Sequence, residues 1–574
     1  MLNKNKLAQL KKLDVERKVW EIASKIRDEG TQSNILPIIT LAATAYWKKE
    51  SKSQKELMDR VQAVVQDETT RTYLKGYIEA NWDMIVELSE TDSDTLAAIA
   101  LFFETDGYSS RFIGGISTPD GISKLAIRLL DIQDDDTVLD VCSGVNSFLL
   151  ETALTTNAEK LIGIDLNTDM YLIAQIRNAV SGISIENIQG NALAKDYASL
   201  KANKVFSNFP FGMRFQTLKK EILSNKQLFR YFSDAKNSLS GDWVFSTAAM
   251  LNQANPGKTV VIMANAAIWN QMDVEIRKIF VTSGLVEAVI SLPGQLLPGT
   301  ALAVTMMVFS HGNESVKMID ASDFYTKGRR KNTLEDSDIE RILEAYNQPS
   351  EKSKDIAIEA LEQQDYILNP QRYLDVADDK WDKYLQLGDI CKSVNRGAVI
   401  RSAELNKIAS KTPTDFQYLM LQDIKNGQIS TELPYITELD EKMDKYCIRN
   451  GNLIISKISP FKIAMVHVDG NKKILANGNL YFLDIDADKI NPEYLMLYLQ
   501  SERGMVELNL YSKGSVMQTI SMQELKKVRV PDIPFEEQNR IVSEYQDLAD
   551  ELVIISKQEE IVKEKMAHLL QEVF

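Results

Sequence analysis

An alternation of helix-like and strand-like segments between Thr118 and Ser310 limits the fold of this chain more than any other feature. Apolar spacing suited to helices marks SKLAIRLL, SFLLETAL and TDMYLIAQIRNAV, while short apolar runs mark TVLDVCS, LIGIDL, KVFSNFPF and KTVVIMAN as strands. A strand followed by a helix and a further strand needs a crossover, which gives parallel pairing and a sheet covered by helices on both faces. The last two runs, LVEAVISLP and AVTMMVFS, read as a late hairpin. Residues 109–312 are therefore expected to form a doubly wound α/β domain with a ligand pocket at the carboxyl ends of its strands.

The flanking regions have different textures. Residues 1–108 read as a helical N-terminal domain, with periodic apolar positions such as Leu7, Leu10, Leu13 and Trp20. Residues 313–380 are charged, with TKGRRKN and acidic residues from Glu335 to Glu344, and read as a helix-rich connector. Residues 381–538 carry short strands between Gly, Asn and Asp turns, as in GNLIISKI and GNLYFLDI, which suggests a compact α+β module. In residues 539–574, Ile541, Tyr545, Leu548, Leu552, Ile555, Val562, Met566, Leu569 and Val573 fall on alternating four- and three-residue steps, interrupted by Glu559. That spacing suits a coiled-coil helix and equally an amphipathic helix docked on its own domain.

Composition excludes several classes. A net charge of -15 over 574 residues argues against non-specific coating of nucleic acid, although a local basic face remains compatible with it. Cys142, Cys391 and Cys447, like His311, His467 and His568, are too scattered for a disulfide framework or a zinc site. No apolar run has the length of a membrane span, and the N-terminus is a charged amphipathic helix without the apolar core of a signal peptide, so a cytoplasmic location is expected.

Three segments carry the chemistry. In DVCSGVNSFLL a strand ends near Asp140 and a helix begins near Ser147, with Gly144 permitting close backbone approach in the turn between them. LIGIDL ends in Asp165, an acid placed either to accept two ribose hydroxyls or to cap the helix beginning near Thr168. SNFPFG follows a strand and presents Asn208, the Phe209 carbonyl, Pro210 and the Phe211 ring together. An exocyclic amine such as adenine N6 is a poor nucleophile because its lone pair is delocalised into the ring. Acceptors from Asn208 Oδ1 and the Phe209 carbonyl would draw it towards tetrahedral geometry while Phe211 stacks on a base turned out of its duplex. A sulfonium methyl donor needs no metal or general base in such a site, only alignment. The same four residues also suit an edge-strand turn with one buried aromatic.

The order of these segments resembles the modification subunit of type I restriction–modification systems, the N6-adenine DNA methylase family, over about residues 110–375. GGISTPDGI is similar to the family's Gly-x-x-x-Thr-Pro segment, DVCSGVNSFL to its Asp-Pro-x-Cys-Gly-Thr-Gly-Gly-Phe-Leu loop, and GIDLN to its acidic strand end. QGNAL is similar to the segment that reads the cofactor adenine, SNFPFG to the Asn-Pro-Pro-Phe catalytic loop, and DYILNPQRYL to the end of the domain. The resemblance implies a Rossmann-like methyltransferase domain with S-adenosyl-L-methionine as cofactor. Thr118, Asp140, Gly144, Asn146, Asp165 and Asn191 would bind it, Thr118 at the methionine carboxylate. Three positions depart from the family: Asn146 for the loop's second glycine, Asn191 for an Asp, and Phe209 for the first Pro. Loss of a charged acceptor at position 191 is expected to weaken cofactor binding by about 1 to 2 kcal/mol, and Phe209 to add bulk beside the target base. The alternative implied by these changes is a catalytically weak or inactive methyltransferase fold that binds DNA and cofactor in a defence complex.

Residues 381–574 resemble a second family, the specificity subunit of the same systems, as one target-recognition domain with its following helix. WDKYLQLGDICKSVNRG, RNGNLIISKIS, NPEYLMLYLQSERG and GSVMQTISMQELKKVRVPDIPFEEQNRIV occur in family order. The resemblance implies a double-stranded DNA partner with a flipped adenine, and a second copy or a specificity subunit met through the C-terminal helix. A restriction subunit would be a separate chain, since the sequence has no Gly-x-x-x-x-Gly-Lys-Ser/Thr loop. Candidate DNA contacts are Lys392, Arg396, Arg401, Lys457, Lys462, Lys513 and Gln518, in loops or beside Gly turns.

Overall fold

The computed structural model describes the chain except residues 1, 28–32, 104–111, 114–116, 234–238, 298–301, 329–330, 375–382, 426, 431, 438–440, 468–471, 514–517, 550 and 552–574. Two compact units divide it, residues 1–374 and 375–574.

The first unit begins with seven helices: α1 (Lys4–Lys11), α2 (Glu16–Arg27), α3 (Ile35–Lys48), α4 (Gln54–Val64), α5 (Glu68–Ala80), α6 (Trp82–Leu88) and α7 (Ser93–Phe102). They share one core with α10 (Thr168–Ser181), through Ile173 and Ile176 of α10, and with Val145. These helices therefore belong to the same compact unit as the sheet that follows.

That sheet has nine strands: β1 (Thr137–Val141), β2 (Lys160–Asp165), β3 (Glu186–Gln189), β4 (Ala202–Ser207), β5 (Gln253–Ala264), β6 (Val286–Ser291), β7 (Val304–Phe309), β8 (Ser315–Asp320) and β9 (Ser353–Ala357). Their spatial order is β9-β8-β6-β7-β5-β4-β1-β2-β3. Pairing from β3 across to β5 is parallel, and β7 runs antiparallel between β5 and β6. The expected late hairpin is this β6–β7 pair. All six residues of β7 are buried, as a strand covered on both faces requires. One face packs α8 (Asp120–Leu130), α9 (Ser147–Thr155) and α15 (Asp336–Asn347) through Leu125, Phe148 and Ile342. The other packs α11 (Phe215–Ser224), α12 (Lys226–Phe232), α13 (Gly241–Leu251) and α14 (Val274–Thr282) through Leu218, Leu228, Trp243 and Phe280.

Of the stretch 313–380, expected as a helix-rich connector, residues 313–374 are integral to this unit instead. β8 pairs with β6 in parallel and β9 closes the edge antiparallel to β8. Apart from the buried Asp320 and Asp338, its charged residues sit on the outward faces of elements whose inward residues, such as Val316, Met318 and Ile342, are buried.

The second unit holds a four-stranded sheet in the order 391–396, 480–485, 453–456, 463–465 and a five-stranded sheet built around 416–419 and 473–476. Leu453, Ile455 and Leu483 of the first sheet pack against Leu495 and Leu499 of the helix Pro492–Gln500. Residues 535–549 are helical, starting four residues before the expected boundary, and most of the heptad segment lies outside the described residues. Among the described residues no helix is long and apolar enough to cross a membrane.

Candidate active site and DNA-facing residues

β1 lies between β2 and β4, so the connections leaving it and its neighbour diverge to opposite sides and open a crevice at their carboxyl ends. The turn from β1 into α9 occupies that crevice. Cys142, Gly144 and Asn146 hold positive φ of 72°, 53° and 64°. The Cys142 and Ser143 amides both donate to the Ile164 carbonyl, at 3.0 and 2.9 Å, which folds the turn back over β2.

Asn146 is fully buried, and its Nδ2 donates to Asn187 Oδ1 at 2.8 Å. It fits because Gly163 lies beneath it: a Cβ at that position would stand 2.9 Å from Asn146 Oδ1 and 2.8 Å from Ser143 Oγ. The replacement of the family's glycine is thus absorbed inward, by an absent side chain on β2 and an amide partner on β3. Its side chain contacts the sheet, where the sequence reading had placed it against the cofactor.

The Asp165 carboxylate accepts from the Gly144 amide and from the Asn167 amide, each at 2.8 Å. The N-cap of α10 is Asn167, whose side chain accepts from Asp169 and Met170. Asp165 is therefore released from the capping role and keeps lone pairs for a further donor. Burial raises its carboxyl above the usual range against the opposing pull of the Asn167, Gly144 and Leu166 amides. Asp140, 2 % exposed, has an Oδ1 without a hydrogen-bond partner. Burial, and then the neighbouring Asp165, push its carboxyl well above the usual range.

β4 ends at Ser207, and Asn208 follows at the edge of the crevice. Asn208 Nδ2 donates to Thr118 Oγ1 at 3.1 Å, joining two motifs 90 residues apart. Asn208 Oδ1 is buried and lacks a partner. The Phe209 ring is 1 % exposed and stacks on Phe245, with centroids 5.2 Å apart and an interplanar angle of 16°. Its bulk thus enters the core; the expectation that it crowds the target base is corrected. Pro210 is exposed and Phe211 half-buried.

Asn191 differs from its expected role: its Oδ1 accepts from the Leu193 and Ala194 amides at 2.9 and 3.3 Å, which commits the acceptor to its own turn. Sequence reasoning missed Leu166, an apolar side chain 66 % exposed directly after Asp165, and Arg177, fully buried in α10. The apolar residue after a strand-terminal acid was the available signal for Leu166. A cavity of about 480 Å³ borders Ser117 and Pro119 on either side of Thr118, and another of about 550 Å³ opens beside Gly212 and Arg214.

These groups match what S-adenosylmethionine presents. The cofactor carries an ammonium, a sulfonium, two ribose hydroxyls and an exocyclic amine, all donors or cationic centres, together with one carboxylate that calls for a donor instead. The crevice offers acceptors, of which Asp140 Oδ1 and Asn208 Oδ1 are buried and unpartnered.

In the second unit the candidate DNA contacts separate into groups. Arg396, Lys457 and Gln518 come together: Arg396 Nε donates to the Gly478 carbonyl at 2.8 Å, the Lys457 amide to Asn479 at 2.7 Å, and the Ser459 amide to the Gln518 carbonyl at 2.9 Å. Burial, and then repulsion from Arg396, lower the Lys457 ammonium from its usual range. Lys462 does not join them. Its ammonium donates to the Leu421 and Ile424 carbonyls at 2.9 and 2.8 Å, an internal tie in place of the expected DNA contact. Lys392 is exposed at the start of strand 391–396, and Arg401 is exposed at the N-cap of helix Ser402–Ile408. The Lys513 side chain lies outside the described residues.

Comparison with known proteins agrees with this division. Residues 107–382 match the model of the N-6 DNA Methylase family, and residues 378–563 that of the Type I restriction modification DNA specificity domain. The Type I restriction enzyme MjaVIII methylase subunit of Methanocaldococcus jannaschii is 27% identical over 313 residues, 49% of this chain and 53% of that protein. The putative type I restriction enzyme MjaX specificity subunit of the same organism is 25% identical over 195 residues, 33% of this chain and 44% of that one. The crystal structure of the type I restriction-modification system methyltransferase subunit from Streptococcus thermophilus superposes with a TM-score of 0.48 at 16% identity, covering 63% of this chain and 99% of that one. The chain spans about half the length of the curated relatives it matches. Residues 107–382 thus match the N-6 DNA Methylase model and residues 378–563 the Type I restriction modification DNA specificity domain model, one after the other in a single polypeptide.

Proposed function

We propose that this chain is an S-adenosylmethionine-dependent DNA methyltransferase that modifies N6 of an adenine within a sequence selected by its own C-terminal domain. The observation that carries the reading is Asn208 at the crevice: Nδ2 anchored on Thr118, Oδ1 buried and unpartnered. A fixed acceptor of this kind suits an amine whose hydrogens must be held while its lone pair is freed for attack.

In this reading the cofactor supplies an electrophilic methyl group. Thr118 and Asp140 face its methionine end, Gly144 and Asp165 its ribose, and Leu166 its adenine, the Asn191 acceptor being committed to its own turn. Asn208 Oδ1 and the Phe209 carbonyl accept from the target N6 amine, Pro210 stiffens the loop, and Phe211 stacks on the flipped base. Alignment of amine, methyl and sulfur supplies the catalysis. Arg396, Lys457 and Gln518 face DNA, with Lys392 and Arg401 further along the surface and Lys513 kept as a contact proposed from its sequence position. Residues 1–374, the N-terminal helices packed with the sheet that 313–374 extend, serve as the methyltransferase unit, and 381–538 as the recognition domain. The heptad-patterned segment 539–574 pairs with a second copy or a specificity subunit, a role suited by Tyr545 and Leu548, which are 53 % and 61 % exposed in the single chain. The setting is a cytoplasmic restriction–modification or related defence system, any restriction subunit being a separate chain. A binding-only role is disfavoured because Asn146 and Phe209, two of the three departures, find places inside the fold.

The test is transfer of labelled methyl from S-adenosylmethionine to unmodified genomic DNA, with nucleoside analysis of the product. N6-methyladenine is expected, and Asn208→Ala should lower the rate by about 100-fold or more, as loss of a preorganised group does elsewhere, while DNA binding is retained. Absence of transfer to DNA that the protein demonstrably binds, with cofactor bound, would overturn the reading.

A further inference from the structure

Arg177 lies in α10 with its side chain fully buried. Its guanidinium spans two segments remote in sequence: Nη1 donates to the Val145 carbonyl at 2.9 Å and Nη2 to the Phe103 carbonyl at 2.8 Å. Val145 belongs to the turn between β1 and α9, and Phe103 closes α7. The Val145 side chain, 5 % exposed, packs in the core that α10 shares with the N-terminal helices. One residue of the turn is thus held by a polar contact on its carbonyl and an apolar contact on its side chain, both reaching towards the same helices.

The turn needs such holding. Three of its residues have positive φ, two of them not glycine, a conformation that persists only when the surroundings over-determine it. A buried guanidinium is costly unless its donors are met, so the two acceptors are constrained as tightly as the charge. The planar fork of arginine fixes two acceptors together, whereas a lysine ammonium is a point charge on a flexible stem.

We infer that Arg177 is a positioning residue for the cofactor turn, acting through the Val145 carbonyl, and that it couples order at the end of α7 to the conformation of that turn. The inference rests on the reading of the turn as part of the cofactor site. Because coupling is reciprocal, whatever stabilises the turn also stabilises the last turn of α7.

The experiment uses the full chain, comparing wild type, Arg177→Lys and Arg177→Met by calorimetric titration with S-adenosylmethionine and by amide hydrogen exchange, well below the melting temperature of each. The dissociation constant is expected to rise about tenfold in Arg177→Lys, one tenfold step being about 1.4 kcal/mol, and further in Arg177→Met. Amides of Gly144 and Asn146 should exchange faster in both variants, with DNA affinity unchanged. In the wild type, cofactor should slow exchange at Leu101–Phe103. A merely structural role would lower the melting temperature and leave the dissociation constant of the folded protein unmoved. If the wild type binds cofactor and Arg177→Lys binds it equally well, the inference fails and the site assignment stands; if the wild type binds none, the site assignment fails. The exchange arm needs no cofactor: unchanged rates at Gly144 and Asn146 in Arg177→Lys overturn the inference in either case, even if Arg177→Met does not fold.

Discussion

Replacing Gly163 by alanine places a methyl group where Asn146 now sits. The new Cβ would stand 2.8 Å from Ser143 Oγ, 2.9 Å from Asn146 Oδ1 and 3.0 Å from Leu149 Cδ1. None of these atoms is backbone, yet Asn146 and Leu149 are fully buried and Asn146 is tied to Asn187, so the turn itself must shift. Overpacking of this size costs about 1–3 kcal/mol. Asn146→Gly alone removes a hydrogen bond worth about 1 kcal/mol and relieves a left-handed backbone penalty of about 1 kcal/mol, leaving it near neutral. If the clash is with Asn146, the double variant recovers part of the alanine cost, giving a coupling of about 1–2 kcal/mol, where independent sites add within about 0.5 kcal/mol. Urea unfolding followed by tryptophan fluorescence suits the measurement, since Trp20, Trp47, Trp82, Trp243 and Trp269 all lie in the first unit and Trp381 alone in the second. Strict additivity, or a neutral Gly163→Ala, would refute the claim that the glycine on β2 makes room for the asparagine.

Phe209→Ala should destabilise the first unit by about 3–5 kcal/mol by emptying a core site, whereas Phe211→Ala should cost less stability and about 1–3 kcal/mol of base stacking; melting curves and binding of DNA with an abasic or intact target separate the two. Lys457→Met should reduce the slope of log affinity against log salt by about 1. Lys462→Met should lower the stability of the second unit and leave that slope unchanged. Asp140→Asn should flatten the dependence of stability on pH. The folded carboxyl is raised, so its contribution is present below the ordinary aspartate value of about 4 and is lost as pH rises through the folded value. Chemical unfolding of the cofactor-free chain should therefore show the variant gaining on the wild type as pH rises above about 4; a constant difference would count against a buried, unpartnered Asp140.

The strand–helix alternation was sufficient to locate β1, β2 and β4 to β7, because strands buried on both faces read as unbroken apolar runs; β3, the polar edge segment Glu186–Gln189 with no fully buried residue, went unread. It did not reveal that residues 313–357 extend the sheet, since β8 carries the polar Ser315 and Lys317 among its buried apolar residues and β9 is short. In the site, Asn208, Thr118, Asp140 and Asp165 were legible because each ends a strand or opens a helix. The inward turn of Phe209 was not, as it depends on Phe245, 36 residues on in α13. Arg177 could have been found: it lies four residues from Ile173 on the apolar stripe of α10, where a charge must have a buried purpose. Lys462 and Lys457 look alike in sequence, and the carbonyls that capture Lys462 come from a segment about 40 residues away.

The most direct measurement is to express the full chain alone in a host whose DNA lacks adenine methylation and to sequence the modified bases. The account predicts N6-methyladenine at one defined sequence, lost in Asn208→Ala. Unmodified DNA in the presence of soluble, DNA-binding protein would contradict it.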